Sequence, residues 1–454
     1  MQQSSSNSAR RDATAHRASR AAGVPVPTAW APLVLMVLAS LAGCPAAADE
    51  PIGIHDPHHG YYTRQPRDRF TRLKAALEAG QVALDPSGEL PLLRSLLVAL
   101  EVPVTSQLLV TSATSLQKRL VSPRKPRAIY FNDDTYVGFV PDGQMEVVSI
   151  DPELGGIFYL FDRFSAGRVP RVQRADNCMS CHAPRGRDET PGLALESVIP
   201  GRTGGGEMAF RRGQTGHAVP LELRLGGWIV TGAPGSLRHR GNVFVEREAG
   251  TVRERPVLPG EFFDLERYPT DTSDILPHLL LEHQVGFVNR AVQAAYRVRD
   301  LERRNAGHLE AVAAEIDALA RGLVRYLLFA DEVPLPPGGI EGDARYKADF
   351  RAARRMSRDG DSLRDFDLRT RLFAHRCSYM IDTPSYAGLP TTLKSRVEHA
   401  LVRALDEGAP EPEFAYLSPE ERRRIRTILR GDSHRIGEES RSPRTSRALP
   451  ASSQ

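Results

Sequence analysis

The chain has 454 residues, a formal charge of +4 and four cysteines. That length supports two cores or one elaborate core, and four cysteines are too few for a disulfide scaffold. Residues 1–48 hold four arginines against one aspartate, so the remainder carries only +1, which gives no electrostatic case for nucleic acid as a partner.

Residues 1–28 are polar and include Arg10, Arg11, Arg17 and Arg20; an apolar run from Trp30 to Ala42 follows. The run is too short to span a bilayer comfortably and fits the core of an export signal. Two cleavage points compete. Leu41-Ala42-Gly43-Cys44 looks like a bacterial lipobox, which would leave a lipidated Cys44, and Ala46-Ala47-Ala48 before Asp49 fits ordinary small-residue cleavage. The lipoprotein reading is preferred. Residues 1–48 are thus expected to be a signal peptide, and the product to be periplasmic or exported, meeting a membrane only through a lipid anchor at Cys44.

Helical periodicity extends from 67 to 80, with Phe70, Leu73 and Leu77 on one face, and again from 89 to 100. Residues 49–100 therefore read as a helical N-terminal segment. Strand signals begin near Thr105: RAIYFN, TYVGFV, MEVVSI and GIFYLFDRF are short β-rich runs, with a Pro141-Asp142-Gly143 turn before the third. GGWIVTG is a further strand, and the Gly/Pro/Arg-rich stretch before it, up to Gly216, is expected to be irregular. Residues 101–270 form a β-rich region. Long helices are expected from 272 to 329, and Ser418-Pro419-Glu420-Glu421 opens a last helix with an N-cap, proline at N1 and early acids. Residues 271–431 are read as a helical C-terminal region and 432–454 as a disordered tail. The fold class expected is α+β, a β-rich region flanked by helical layers.

Within the β-rich region lies Cys178-Met179-Ser180-Cys181-His182. CxxCH is the attachment pattern of a c-type haem. Two thiols at this spacing reach the haem vinyl groups, and the adjacent histidine supplies a proximal nitrogen to iron. A zinc site would need further ligands, and the chain has no second CxxC. One covalent haem c is therefore expected on Cys178, Cys181 and His182. Arginines near it are candidates to pair with its propionates. Cys377, in the apolar phrase LFAHRCSYMI, is left over and reads as a buried inert thiol.

The far side of the iron decides the function, because a second protein ligand favours electron transfer and an open position permits turnover. Four candidates for that position are Met208, His217, His239 and His283. Met208 falls in the glycine-rich phrase GGGEMAF, read as a loop. His217 and His239 flank GGWIVTG, and His283 shares an apolar helical face with Ile275, Leu279 and Phe287, where a buried, hydrogen-bonded structural histidine is the more natural reading. Asp133-Asp134 reads as a turn between strands.

The haem motif resembles that of c-type cytochromes. The longer phrases SPRKPRAIYFNDDTYVGFV, NCMSCHAP, GGWIVTGAPG with RHRGN, SDILPHLLLEHQ and SLRDFDLRTRLFAHRCSYMI are similar to segments of large secreted bacterial proteins described as cytochrome c domain-containing. The resemblance implies a covalent haem at Cys178, Cys181 and His182 and brings no substrate with it. The leading expectation is an exported monohaem c-type cytochrome that passes electrons to redox partner proteins. The alternative is a single-haem oxidoreductase or peroxidase-like enzyme with an open distal site; whether the protein is an enzyme is left open.

Overall fold

The computed structural model describes residues 52–248, 250–408 and 411–431. The expected signal peptide, with Cys44, and the expected tail over 432–454 lie outside the described residues.

Helices α1 (Arg69–Glu78) and α2 (Glu89–Ala99) come first. Asp68 caps α1: one carboxylate oxygen accepts the Thr71 amide at 3.0 Å, and the other accepts the Tyr159 hydroxyl at 2.7 Å. The cap thus satisfies a free helix donor and pins α1 to the sheet. Strands β1 (Leu108–Val110), β2 (Arg127–Phe131), β3 (Thr135–Phe139), β4 (Met145–Asp151), β5 (Gly155–Phe161) and β6 (Val172–Arg174) follow. A one-turn helix, α3 (Met179–His182), comes next, then β7 (Ser197–Pro200), β8 (Gly206–Arg211), β9 (Trp228–Ile229), β10 (Val243–Glu248) and β11 (Thr251–Pro256).

Seven strands form one sheet in the order β6-β5-β4-β3-β2-β1-β9, with every pairing antiparallel. Consecutive strands are neighbours from β1 to β6, as short turns such as Pro141-Asp142-Gly143 dictate. Residues alternate between faces. One face packs on the N-terminal helices, with Phe70 4.5 Å from Tyr159 and 5.8 Å from Phe161 between ring centres. The other carries the directly paired row Leu160, Glu146, Gly138, Ile129 and Leu108, and it turns toward α3.

Asp133 and Asp134 sit in the β2–β3 turn. Each faces an arginine: Asp134 accepts Arg69 Nε at 2.9 Å, and Asp133 pairs with Arg364. One expectation is corrected. The stretch between the motif and Gly216 is not irregular throughout, since β7 and β8 pair as a hairpin. Their strand signal is only four and six residues long, and the glycines between them mask it.

Helix α4 (Ile275–Arg304) runs for 30 residues and is buried over most of its length. It is followed by α5 (Ala313–Leu327), α6 (Ala344–Ala352), α7 (Pro384–Ala387), α8 (Thr391–Ala404) and α9 (Pro419–Leu429). Ser418 caps α9 by accepting the Glu421 amide at 3.1 Å. Phe70, Val137, Val288 and Leu401 belong to one continuous hydrophobic core. The fold is therefore α+β, with N-terminal helices, sheet and C-terminal helices sharing that core. No helix among the described residues is long and apolar enough to cross a membrane.

Candidate functional site

Edge strand β6 leads into a 3-10 turn at Asp176–Cys178 and then α3. Helical winding puts residues i, i+3 and i+4 on one face. Cys178, Cys181 and His182 hold those positions, while Met179 turns into the core. Both thiols are free; Cys178 is half-buried and Cys181 exposed. Burial pushes the Cys178 thiol up to about 11.

The imidazole of His182 is fixed from behind. Its Nδ1 lies 3.0 Å from the Gly192 carbonyl oxygen. A carbonyl can only accept, so the ring proton sits on Nδ1 and the Nε2 lone pair is left free. Burial lowers the pKa to about 4, so the ring is neutral, as a metal ligand requires. Phe158 packs against the ring at 4.4 Å between centres. The Gly192 carbonyl is itself held. The Gly192 amide donates to the His182 carbonyl at 2.9 Å. Asn289 of α4 brackets Leu193, accepting its amide at 2.7 Å and donating to its carbonyl at 2.9 Å. A Cβ at Gly192 would lie 2.5 Å from Asn289 Oδ1, so the approach needs glycine.

Cys178, Cys181 and His182 all line one cavity of about 400 Å³, a volume suited to a small-molecule or cofactor site. Its floor is the outward face of the sheet: Ile129, Val148, Phe158 and Leu160, with Trp228 of β9. Leu281 and Val285 of α4 and the segment Leu193–Glu196 close other sides. The polar part of the wall is concentrated. Arg127 Nη2 meets Glu146 at 2.5 Å, and Gln117 Nε2 donates to the same carboxylate at 2.8 Å.

The four candidates for the far side of the iron lie elsewhere; the cavity lining includes none of them. His217 and His283 are buried against each other, Nδ1 to Nδ1 at 2.8 Å, and His283 Nε2 meets Ser378 Oγ at 2.7 Å. Both rings stack on Tyr326 and Phe329, and three of their four ring nitrogens already have partners. His239 accepts the Gly241 amide at 2.9 Å within its own turn. Met208 is held on β8 opposite Ile199 rather than in a loop. Cys377 is fully buried, and burial drives its thiol pKa well up.

Sequence reasoning missed Arg127, Glu146, Gln117 and Asn289. A signal for two of them exists. In RAIYF and MEVVSI, Arg127 and Glu146 keep the same alternation as Ile129 and Val148, placing charges inside an apolar stripe. The residues present fit a thioether-linked haem, having two thiols and a neutral imidazole with a free lone pair on one apolar cavity. Comparison with known proteins gives no match to a family model, a curated protein or a solved structure.

Proposed function

We propose that this chain is an exported monohaem c-type cytochrome whose haem is joined to Cys178 and Cys181, with His182 as the proximal ligand. The observation that carries the proposal is that these three side chains line one cavity floored by the apolar face of the sheet. Bound there, haem supplies one-electron chemistry and, if its far position is open, a place for a small ligand. The protein's own contributions are definite. Gly192 orients His182, Asn289 holds Gly192 through Leu193, and the sheet face with Leu281 and Val285 offers apolar walls.

Two uses of such a site differ at the far axial position. Electron carriage to redox partner proteins is the simpler use. The oxidoreductase reading gains from one observation: His182 is the only histidine, and no methionine is present, among the described residues lining the cavity. We therefore favour a haem that meets a small molecule on that side while still exchanging electrons with partners. The test is the optical spectrum of the matured protein. A high-spin ferric spectrum, with a ferrous form that binds carbon monoxide, is expected. A low-spin spectrum indifferent to carbon monoxide would return the function to electron transfer alone.

A further inference from the structure

The polar wall of the cavity is built in a way that haem attachment does not require. Arg127 on β2 and Glu146 on β4 are separated by β3, where Gly138 pairs directly with both Ile129 and Glu146. Arg127 reaches Glu146 by lying across Gly138. A Cβ there would come within 2.6 Å of Arg127 Nη2 and 3.0 Å of its Nε. Gln117 then fixes the carboxylate from the other side, donating at 2.8 Å, while its own Oε1 accepts the Gln144 amide at 2.8 Å. One donor is left over: Arg127 Nε is buried and has no hydrogen-bond partner.

This arrangement argues against a propionate clamp. A lone arginine suffices to hold a haem carboxylate. A second carboxylate fixed beside that arginine cancels its charge and repels the propionate. A neutral donor–acceptor pair instead matches a small neutral molecule that carries both an acidic hydrogen and a lone pair.

We propose that Arg127 and Glu146 form a ligand-recognition pair in the cavity, selecting a small protic ligand of the hydrogen peroxide or hydroxylamine class. The Arg127 guanidinium donates to the ligand's lone pair, the Glu146 carboxylate accepts its hydrogen, and Gly138 leaves the room in which Arg127 lies across the sheet. The inference rests on the haem assignment above.

The test uses the matured full chain and two probes. Cyanide, which arrives at neutral pH as the protic acid HCN, reports the pair; carbon monoxide, which has no hydrogen to give, is the control. Arg127→Gln with Glu146→Gln removes both charges and keeps a polar side chain at each position. Gly138→Ala displaces Arg127 without touching either charge. Both variants are expected to bind cyanide more slowly by about tenfold or more, the worth of a lost charged hydrogen bond, with carbon monoxide binding unchanged. Unchanged cyanide binding in variants with full haem content would overturn the inference. So would lowered haem content or a shifted reduction potential with normal cyanide binding, which is the mark of a propionate anchor. Absence of covalent haem from the unmodified protein would instead remove the haem assignment itself.

Discussion

The Nδ1–H of His182 donates to the Gly192 carbonyl, and this single bond sets both the tautomer and the direction of the ring. Asn289 acts on the ring only through Leu193 and Gly192, so it is a positioning residue. Replacing Asn289 with alanine leaves the Leu193 amide without a partner, a loss of about 1–3 kcal/mol, while the Leu193 carbonyl keeps the Arg187 donor at 3.1 Å. Denaturant titration is expected to show that loss together with a shifted reduction potential, because the proximal ring is freed to turn. A stability loss with an unmoved potential would reduce Asn289 to a structural role. At this scale the sequence was informative where chemistry is local. The CxxCH spacing contains its own geometry, since one helical turn aligns all three side chains. The far-side candidates lie off the cavity because spacing along a chain carries no tertiary distance: His217 and His283, 66 residues apart, meet each other instead.

Helix α4 shows how a buried element tolerates polar residues. His278, Glu282, His283 and Gln284 are all buried and all partnered. Glu282 pairs with Arg211 at 2.9 Å and also accepts the Gly216 amide at 2.8 Å. Burial lowers the pKa of His278 and of His283 to about 3, and burial also lowers that of His217. Their unfolded values lie near 6.5. Below that pH the unfolded chain takes up protons that the folded chain refuses, so stability is full above pH 6.5 and falls as pH drops toward 3. His278 and His283 each contribute on the order of 1–2 kcal/mol to the loss between pH 7 and 5. Urea unfolding at those two values is expected to give a lower midpoint at pH 5; equal midpoints would contradict the burial of these rings. Element boundaries were legible where caps were local. Ser418 opens α9 as the sequence reads, and the helix expected over 67–80 runs Arg69–Glu78. The hairpin of β10 and β11 left no signal, because β11 is exposed along its whole length and has no apolar face.

Across the molecule, one core joins the helical flanks to the sheet, and this continuity places the cavity. The sheet is covered on one face by the N-terminal helices; its other face is shared among α3, α4 and the cavity. The α+β class followed from strand runs set between helical periodicities. The pairing of β9 onto β1, Leu109 opposite Ile229, and the closure of the site by α4 did not, since both join residues far apart in the chain. The central claim is that this cavity holds one haem through two thioethers. Its most direct test is intact mass, with a haem spectrum taken under denaturing conditions, on protein matured in cells that assemble c-type cytochromes. One haem per chain that survives denaturation, and is absent when Cys178 and Cys181 are both changed to serine, is the result expected. A chain of unmodified mass under those conditions, or haem that leaves on denaturation, would contradict it.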